Sequence, residues 1–154
     1  SRLASLLGFR MYAVDDRVEF ANKERFPEAE TRVISDYSRG LENVFVNSNT
    51  YIVVATRGHR YDDLALAAAI RTPARYIGLL GSRRKTLEIY KNLLKEKVPM
   101  ERLREVYAPI GLNIGAITPE ELAVSIMAEI IMVRNNGTGM PMKMNIANLN
   151  TLIN

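Results

Sequence analysis

Arg75-Tyr76-Ile77-Gly78-Leu79-Leu80-Gly81-Ser82-Arg83-Arg84-Lys85 reads as an apolar strand that stops at a glycine and opens a helix whose first turn is entirely cationic. That order is electrically unfavourable for an isolated helix. Unpaired N–H groups already give the amino end a partial positive charge, so each cation there costs about 0.3–1 kcal/mol. An anion resolves the conflict, because free N–H groups beside guanidinium and ammonium donors form a cradle for phosphate. The competing reading is that Arg83, Arg84 and Lys85 point into water, where their repulsion is screened.

The same alternation recurs on either side of this strand. Upstream, Thr50 to Thr56 reads as a strand, and the unbroken apolar run Tyr51 to Ala55 predicts that both of its faces are covered. Tyr61 to Arg71 follows as a helix with Leu64, Ala65, Ala68 and Ala69 on one stripe, ended by Thr72-Pro73. Nearer the start, a helix from Arg2 to Leu7 is stopped by Gly8 and leads into the strand Arg10 to Val14. Beyond the loop around Pro27 lies another short strand, Arg32 to Ser35. Downstream come a long amphipathic helix from Arg83 to Lys97, a shorter one from Met100 to Val106, and a last one from Pro119 to Arg134, stopped at Asn135-Asn136-Gly137. The last has an explicit start: Thr118 as cap, Pro119 in the first position and Glu121 completing a capping box. Its carboxylates suit the helix dipole, in contrast with the Arg-Arg-Lys entrance.

Strands alternating with helices across short turns predict an α/β fold, a Rossmann-like doubly wound parallel sheet. The chain enters that pattern after its usual first strand and glycine-rich turn, and Gly-x-Gly-x-x-Gly occurs nowhere. A central strand cannot be missing without leaving two sheet edges unpaired, so another segment or chain is expected to supply it. Residues 1–136 form the predicted domain. The Asn- and Met-rich stretch 137–154 is expected to be a flexible or partner-packed tail.

The totals narrow the function. With 154 residues, 47% hydrophobic and 25% charged, there is material for one core. Without cysteine and with a single histidine, the chain has no disulfide, thiolate nucleophile, cysteine zinc site or multi-histidine metal centre of its own, so redox chemistry would have to come from a cofactor. The net charge of +4 invites a nucleic-acid reading. Glu88, Glu96, Glu101 and Glu105 are interspersed among the basic residues, however, and there is no aromatic-basic platform. Nucleic acid is therefore not an expected partner. No run of about 18 apolar residues and no export signal is present, so a cytoplasmic protein without membrane contact is expected.

Three further places are candidates for ligand contact. Asp15 and Asp16 end a strand where a doubly wound fold puts the acid that holds ribose hydroxyls, and Arg17 turned inward would suit a ribose phosphate; a plain turn, with Asp16 paired to Arg17, explains them equally. Thr56-Arg57-Gly58-His59 lies beyond the carboxyl end of a buried strand, the edge where open parallel sheets bind ligands. There Asp62 either fixes the His59 tautomer or begins the next helix as a cap. Gly111 and Gly115 bring bare backbone into an apolar loop, as a ligand wall or as a tight packed crossover. No Gly-x-Ser-x-Gly elbow, Walker loop or paired-carboxylate motif is present.

Taken together and in order, Val14-Asp15-Asp16-Arg17, Thr56-Arg57-Gly58-His59, Ala74 to Gly78 with Gly81-Ser82-Arg83-Arg84-Lys85, and Ala108 to Leu112 with Ile114-Gly115-Ala116 through Glu121 resemble the xanthine dehydrogenase accessory factor family, XdhC/CoxI. The likeness is to its carboxyl-terminal Rossmann domain and covers roughly residues 1–134. It implies a non-enzymatic chaperone that binds molybdenum cofactor (molybdopterin), assists its sulfuration with a cysteine desulfurase, and delivers it to xanthine dehydrogenase or a related molybdenum hydroxylase. The resemblance leaves room for a homo-oligomer. In that reading Gly81 to Lys85 hold the pterin phosphate while His59, Gly111 and Gly115 line the cleft. The family's glycine-rich first turn and its smaller amino-terminal domain with a cysteine-bearing motif do not appear in these residues. The alternatives are an NAD(P)-dependent oxidoreductase, with His59 or Tyr61 as proton donor, and a nucleotide-sensing module that needs only the ribose acid.

Overall fold

A computed structural model describes residues 1–33, 36–42 and 44–143, apart from the side chains of Arg32 and His59. Helix α1 (Arg2–Leu6) is followed by strands β1 (Met11–Asp15) and β2 (Ala29–Val33), then, after a 3-10 turn at Tyr37–Arg39, by β3 (Tyr51–Val54), α2 (His59–Ile70), β4 (Tyr76–Leu79), α3 (Arg83–Lys95), α4 (Met100–Arg104) and α5 (Pro119–Asn135).

All strand pairing is parallel among the described residues. β1 pairs with β2, Met11 opposite Ala29 and Asp15 opposite Val33. β3 pairs with β4, Tyr51 opposite Tyr76 and Val54 opposite Leu79. A parallel bridge from Gly78 to Tyr107 extends the second sheet by one more chain segment. The two sheets share no ladder, yet β1 and β3 are tied by side chains at both ends: the Phe9 and Tyr51 rings meet edge-on at 5.4 Å, and Arg57 reaches Asp16 at 2.7 Å. The strands therefore run the same way, and no ladder joins them among the described residues. This is a Rossmann-like α/β domain, as the sequence predicts, with two separate parallel strand pairs among the described residues.

The main core lies under β3 and β4. Val54, Ile77 and Leu79 on one face of the sheet pack with Leu66, Ala69 and Ile70 of α2, Ile89 and Leu93 of α3, and Leu103 of α4. Alternation sends Tyr76 to the other face, where it joins Ile110 and Ile130, the latter from α5. Helices thus cover both faces of β4, which is buried along its whole length. Gly78 is a close-approach position: a Cβ there would overlap the side chain of Ile110 and lie 2.7 Å from the Tyr76 hydroxyl.

Several expectations need correction. Of the predicted α2 stripe, Ala69 is buried and Ala65 packs against the core, whereas Leu64 and Ala68 are only partly buried and the buried positions extend to Leu66 and Ile70. Strand β2 lies at Ala29–Val33, earlier than Arg32 to Ser35, of which Ile34 and Ser35 fall outside the described residues. Both faces of β3 were expected to be covered, yet Val53 is 44% exposed. It lies on the face shared with Tyr51. The α5 start agrees in detail: Thr118 Oγ1 accepts the Glu121 N–H at 3.2 Å, and Glu121 accepts the Thr118 N–H at 3.0 Å. Of the predicted tail, residues 144–154 lie outside the described residues, and the Gly137 N–H turns back to the Met132 carbonyl at 2.8 Å.

Candidate functional site at the carboxyl edge of the sheets

Because every strand is parallel, the turns after β1, β3 and β4 emerge at one edge. Two side-chain clusters join them. In the first, Arg17 closes back on its own strand end, its Nε 2.9 Å from Asp15 Oδ1 and its Nη2 3.2 Å from Oδ2, while its guanidinium carbon stands 3.7 Å from the centre of the Phe20 ring. These hydrogen bonds hold the Asp15 carboxyl below the usual carboxylate range, against the opposing effect of burial. Asp16 looks the other way: Oδ2 accepts from Arg57 at 2.7 Å and Oδ1 from the Tyr37 hydroxyl at 3.1 Å. Burial pushes the Tyr37 hydroxyl above its ordinary value. Arg57 also lies over the Tyr61 ring, 4.7 Å from its centre, and Tyr37 packs on Tyr61 at 5.3 Å. The Asp16–Arg17 pairing considered from sequence is the longer contact, 3.6 Å; Asp15 is the closer partner of Arg17.

The second cluster joins the turn after β3 to the entrance of α3. Asp62 is fully buried. Its Oδ1 accepts the Thr56 N–H at 3.1 Å and lies 2.8 Å from the Thr56 hydroxyl, and its Oδ2 forms an ion pair with Lys85 Nζ. Asp62 is therefore not a helix cap. The cap position is Gly58, which brings no side-chain hydrogen bond and has open space where a Cβ would stand. His59 is the first residue of α2 rather than part of a free loop, and its imidazole lies outside the described residues.

At the α3 entrance, Ser82 Oγ accepts the Lys85 N–H at 3.2 Å. The three cations divide. Lys85 turns inward to Asp62 and, at 3.4 Å, to the Leu80 carbonyl. Arg84 is 91% exposed, with Glu88 at 3.5 Å, and Arg83 is exposed. The entrance thus presents two guanidinium groups outward and one ammonium inward.

Gly111 lies elsewhere. Its φ of +98° demands glycine, a Cβ would overlap Ser125 Oγ, and its N–H reaches Glu129 Oε2 at 2.9 Å. This is a turn packed onto α5. Gly115, φ +72°, has open space around it. Among the described residues, no group of three or more acidic or histidine side chains is arranged to hold a metal ion, and no helix is long and apolar enough to cross a membrane.

The sequence matches the XdhC Rossmann domain over residues 1–130. The chain belongs to that family. It is 36% identical over 137 residues to the uncharacterized protein YqeB of Escherichia coli, covering 88% of this chain and 25% of that protein. It is 34% identical over 134 residues to a probable xanthine dehydrogenase subunit of Bacillus subtilis, covering 87% and 38%. A crystal structure described as a xanthine dehydrogenase from Bacillus halodurans superposes with a TM-score of 0.72 at 28% identity, over 89% of this chain and 39% of that one. The chain therefore spans well under half the length of these relatives.

Within this XdhC Rossmann domain, sequence reasoning missed Tyr37 and Tyr61 as partners of the Asp16–Arg57 pair, and the Glu129–Tyr76 hydrogen bond of 2.5 Å. Tyr61 had a signal, four residues after Arg57. Asp62 had one too: it sits at helical spacing from Leu66 and Ala69, an acid on an otherwise buried stripe. Tyr37 had none.

Proposed function

We propose that this domain holds the phosphate-bearing end of molybdenum cofactor in an accessory factor that serves a xanthine dehydrogenase or related molybdenum hydroxylase, with a cysteine desulfurase as the source of sulfur. The observation that carries the reading is the divided α3 entrance. Arg83 and Arg84 face outward beside the amino end of the helix, while Lys85 is already neutralised from inside by Asp62. Two guanidinium groups and helix N–H donors suit a phosphate, whose oxygens accept several charge-assisted hydrogen bonds at once. Membership of the XdhC Rossmann family and the likeness to a probable xanthine dehydrogenase subunit support the assignment.

The β1 edge favours this over a nicotinamide enzyme. A ribose diol needs a free carboxylate at the strand end. Here Asp15 is engaged by Arg17, and Asp16 by Arg57 and Tyr37, so a nucleotide would have to displace two partners from Asp16.

The charge reversal R83E/R84E tests the proposal. Affinity for molybdopterin is expected to fall at least about tenfold, equivalent to about 1.4 kcal/mol, while thermal unfolding of the ligand-free protein stays close to wild type. Unchanged affinity rejects the cradle. Thermal stabilisation by NADH without stabilisation by molybdopterin transfers the assignment to the oxidoreductase reading.

A further inference from the structure

Asp62 is a carboxylate with no exposed surface, on the core face of α2 between the end of β3 and the start of α3. A buried charge is tolerated only when it is paired and hydrogen-bonded. Its donors come from two separate turns: the Thr56 N–H and hydroxyl after β3, and the Lys85 ammonium after β4. Lys85 reaches inward because Gly81 leaves it room. A Cβ at Gly81 would stand 2.8 Å from Lys85 Cδ, so any larger residue there pushes the lysine stem off its path. The ammonium is also held towards the Leu80 carbonyl, at the end of β4.

We propose that Asp62 and Lys85 are positioning residues. The buried pair makes the turn after β3 and the entrance of α3 one mechanical unit, so that capture of an anion at Arg83 and Arg84 is transmitted to Thr56 and Gly58, beside Arg57. This regulation rests on the anion-binding reading of the α3 entrance; the coupling itself does not. The Asp62 carboxylate links the Lys85 and Thr56 side chains, and the backbone ties the same two turns through the Leu80 N–H and the Val54 carbonyl at 2.9 Å.

Residue-resolved amide exchange on the full chain tests the coupling. The Leu79 N–H, bonded to the Tyr107 carbonyl at 2.9 Å inside the sheet, reports overall stability. In K85M the Thr56 N–H is expected to exchange about tenfold faster relative to Leu79, the signature of local opening. D62N/K85M keeps an acceptor for the Thr56 N–H and removes the stranded charge, so Thr56 protection is expected to return towards wild type. Should K85M not fold, G81A displaces the lysine stem with no change of charge and is expected to loosen Thr56 in the same way. Equal changes at Thr56 and Leu79, or none at Thr56, in the folded variants overturn the proposal. A parallel titration with inorganic pyrophosphate separates the two readings. Absence of amide shifts at Arg83 and Arg84 counts against the anion site alone, whereas shifts there that reach Thr56 equally in wild type and G81A count against the coupling.

Discussion

Strands β3 and β4 lie side by side in register, are similar in composition, and stand in different environments. Tyr76, Ile77 and Leu79 of β4 are 1%, 6% and 0% exposed, while Val53 in the middle of β3 is 44% exposed. The contrast continues outward: no residue of β1 is buried. β4 has β3 on one edge, the Tyr107 bridge on the other, and helices over both faces. Among the described residues, β3 has a ladder on one edge, and side chains at its two ends reach β1 on the other. Apolarity along a strand therefore records what it is suited to bury. What it does bury depends on which neighbours are in place.

The largest expected difference comes from shortening one apolar side chain on each strand. L79A in β4 is expected to cost about 2–5 kcal/mol through lost burial and a cavity, and V53A about 0.5 kcal/mol as a surface change, both read from urea unfolding. Equal costs would mean that β3 is covered after all.

An intermediate effect is expected where β4 meets α5. The Tyr76 hydroxyl donates to Glu129 at 2.5 Å, and Glu129 also accepts the Gly111 N–H at 2.9 Å. Burial, followed by the Glu129 hydrogen bond, raises the Tyr76 hydroxyl far above the ordinary tyrosine value, so it remains a neutral donor. Y76F leaves the Glu129 carboxylate with one donor fewer and is expected to cost about 1–3 kcal/mol, with faster amide exchange at Gly111. A neutral result would show that the Glu129 carboxylate does not depend on this hydrogen bond.

The smallest effect belongs to the exposed start of α5. The N–H groups of Ile117 and Thr118 hold the Glu121 carboxyl below its ordinary value. A carboxylate depressed in the folded state adds stability above its unfolded value, about 4.3 for glutamate, and loses it as pH falls through the folded value. The thermal midpoint of E121Q should therefore lie slightly below wild type at neutral pH and converge with it in acid. A gap that persists in strong acid would show that the capping box acts without the charge.

The α5 start was legible because Thr118, Pro119 and Glu121 act within one turn, and β4 because its apolar run ends at a glycine. The divided α3 entrance was only half legible. Three adjacent cations announce an electrical conflict, but the residue that neutralises one of them, Asp62, is 23 positions away on another helix. Asp16 and Arg57 are 41 positions apart, and no periodicity links them. The start of α2 was misplaced because Gly58 caps it without a side-chain signal.

From the sequence alone came the α/β alternation, the parallel strands, the cationic entrance of α3 and the ordered motifs of the XdhC Rossmann family, because each is written in neighbouring residues or in short periods. Tertiary structure alone decided that Lys85 turns inward, that Asp62 is its buried partner, that Asp15 and Asp16 are already engaged, and that Val53 lies open. The physical reason is that parallel strands bring distant turns to one edge, and only there do charge pairing and burial select a partner for each side chain.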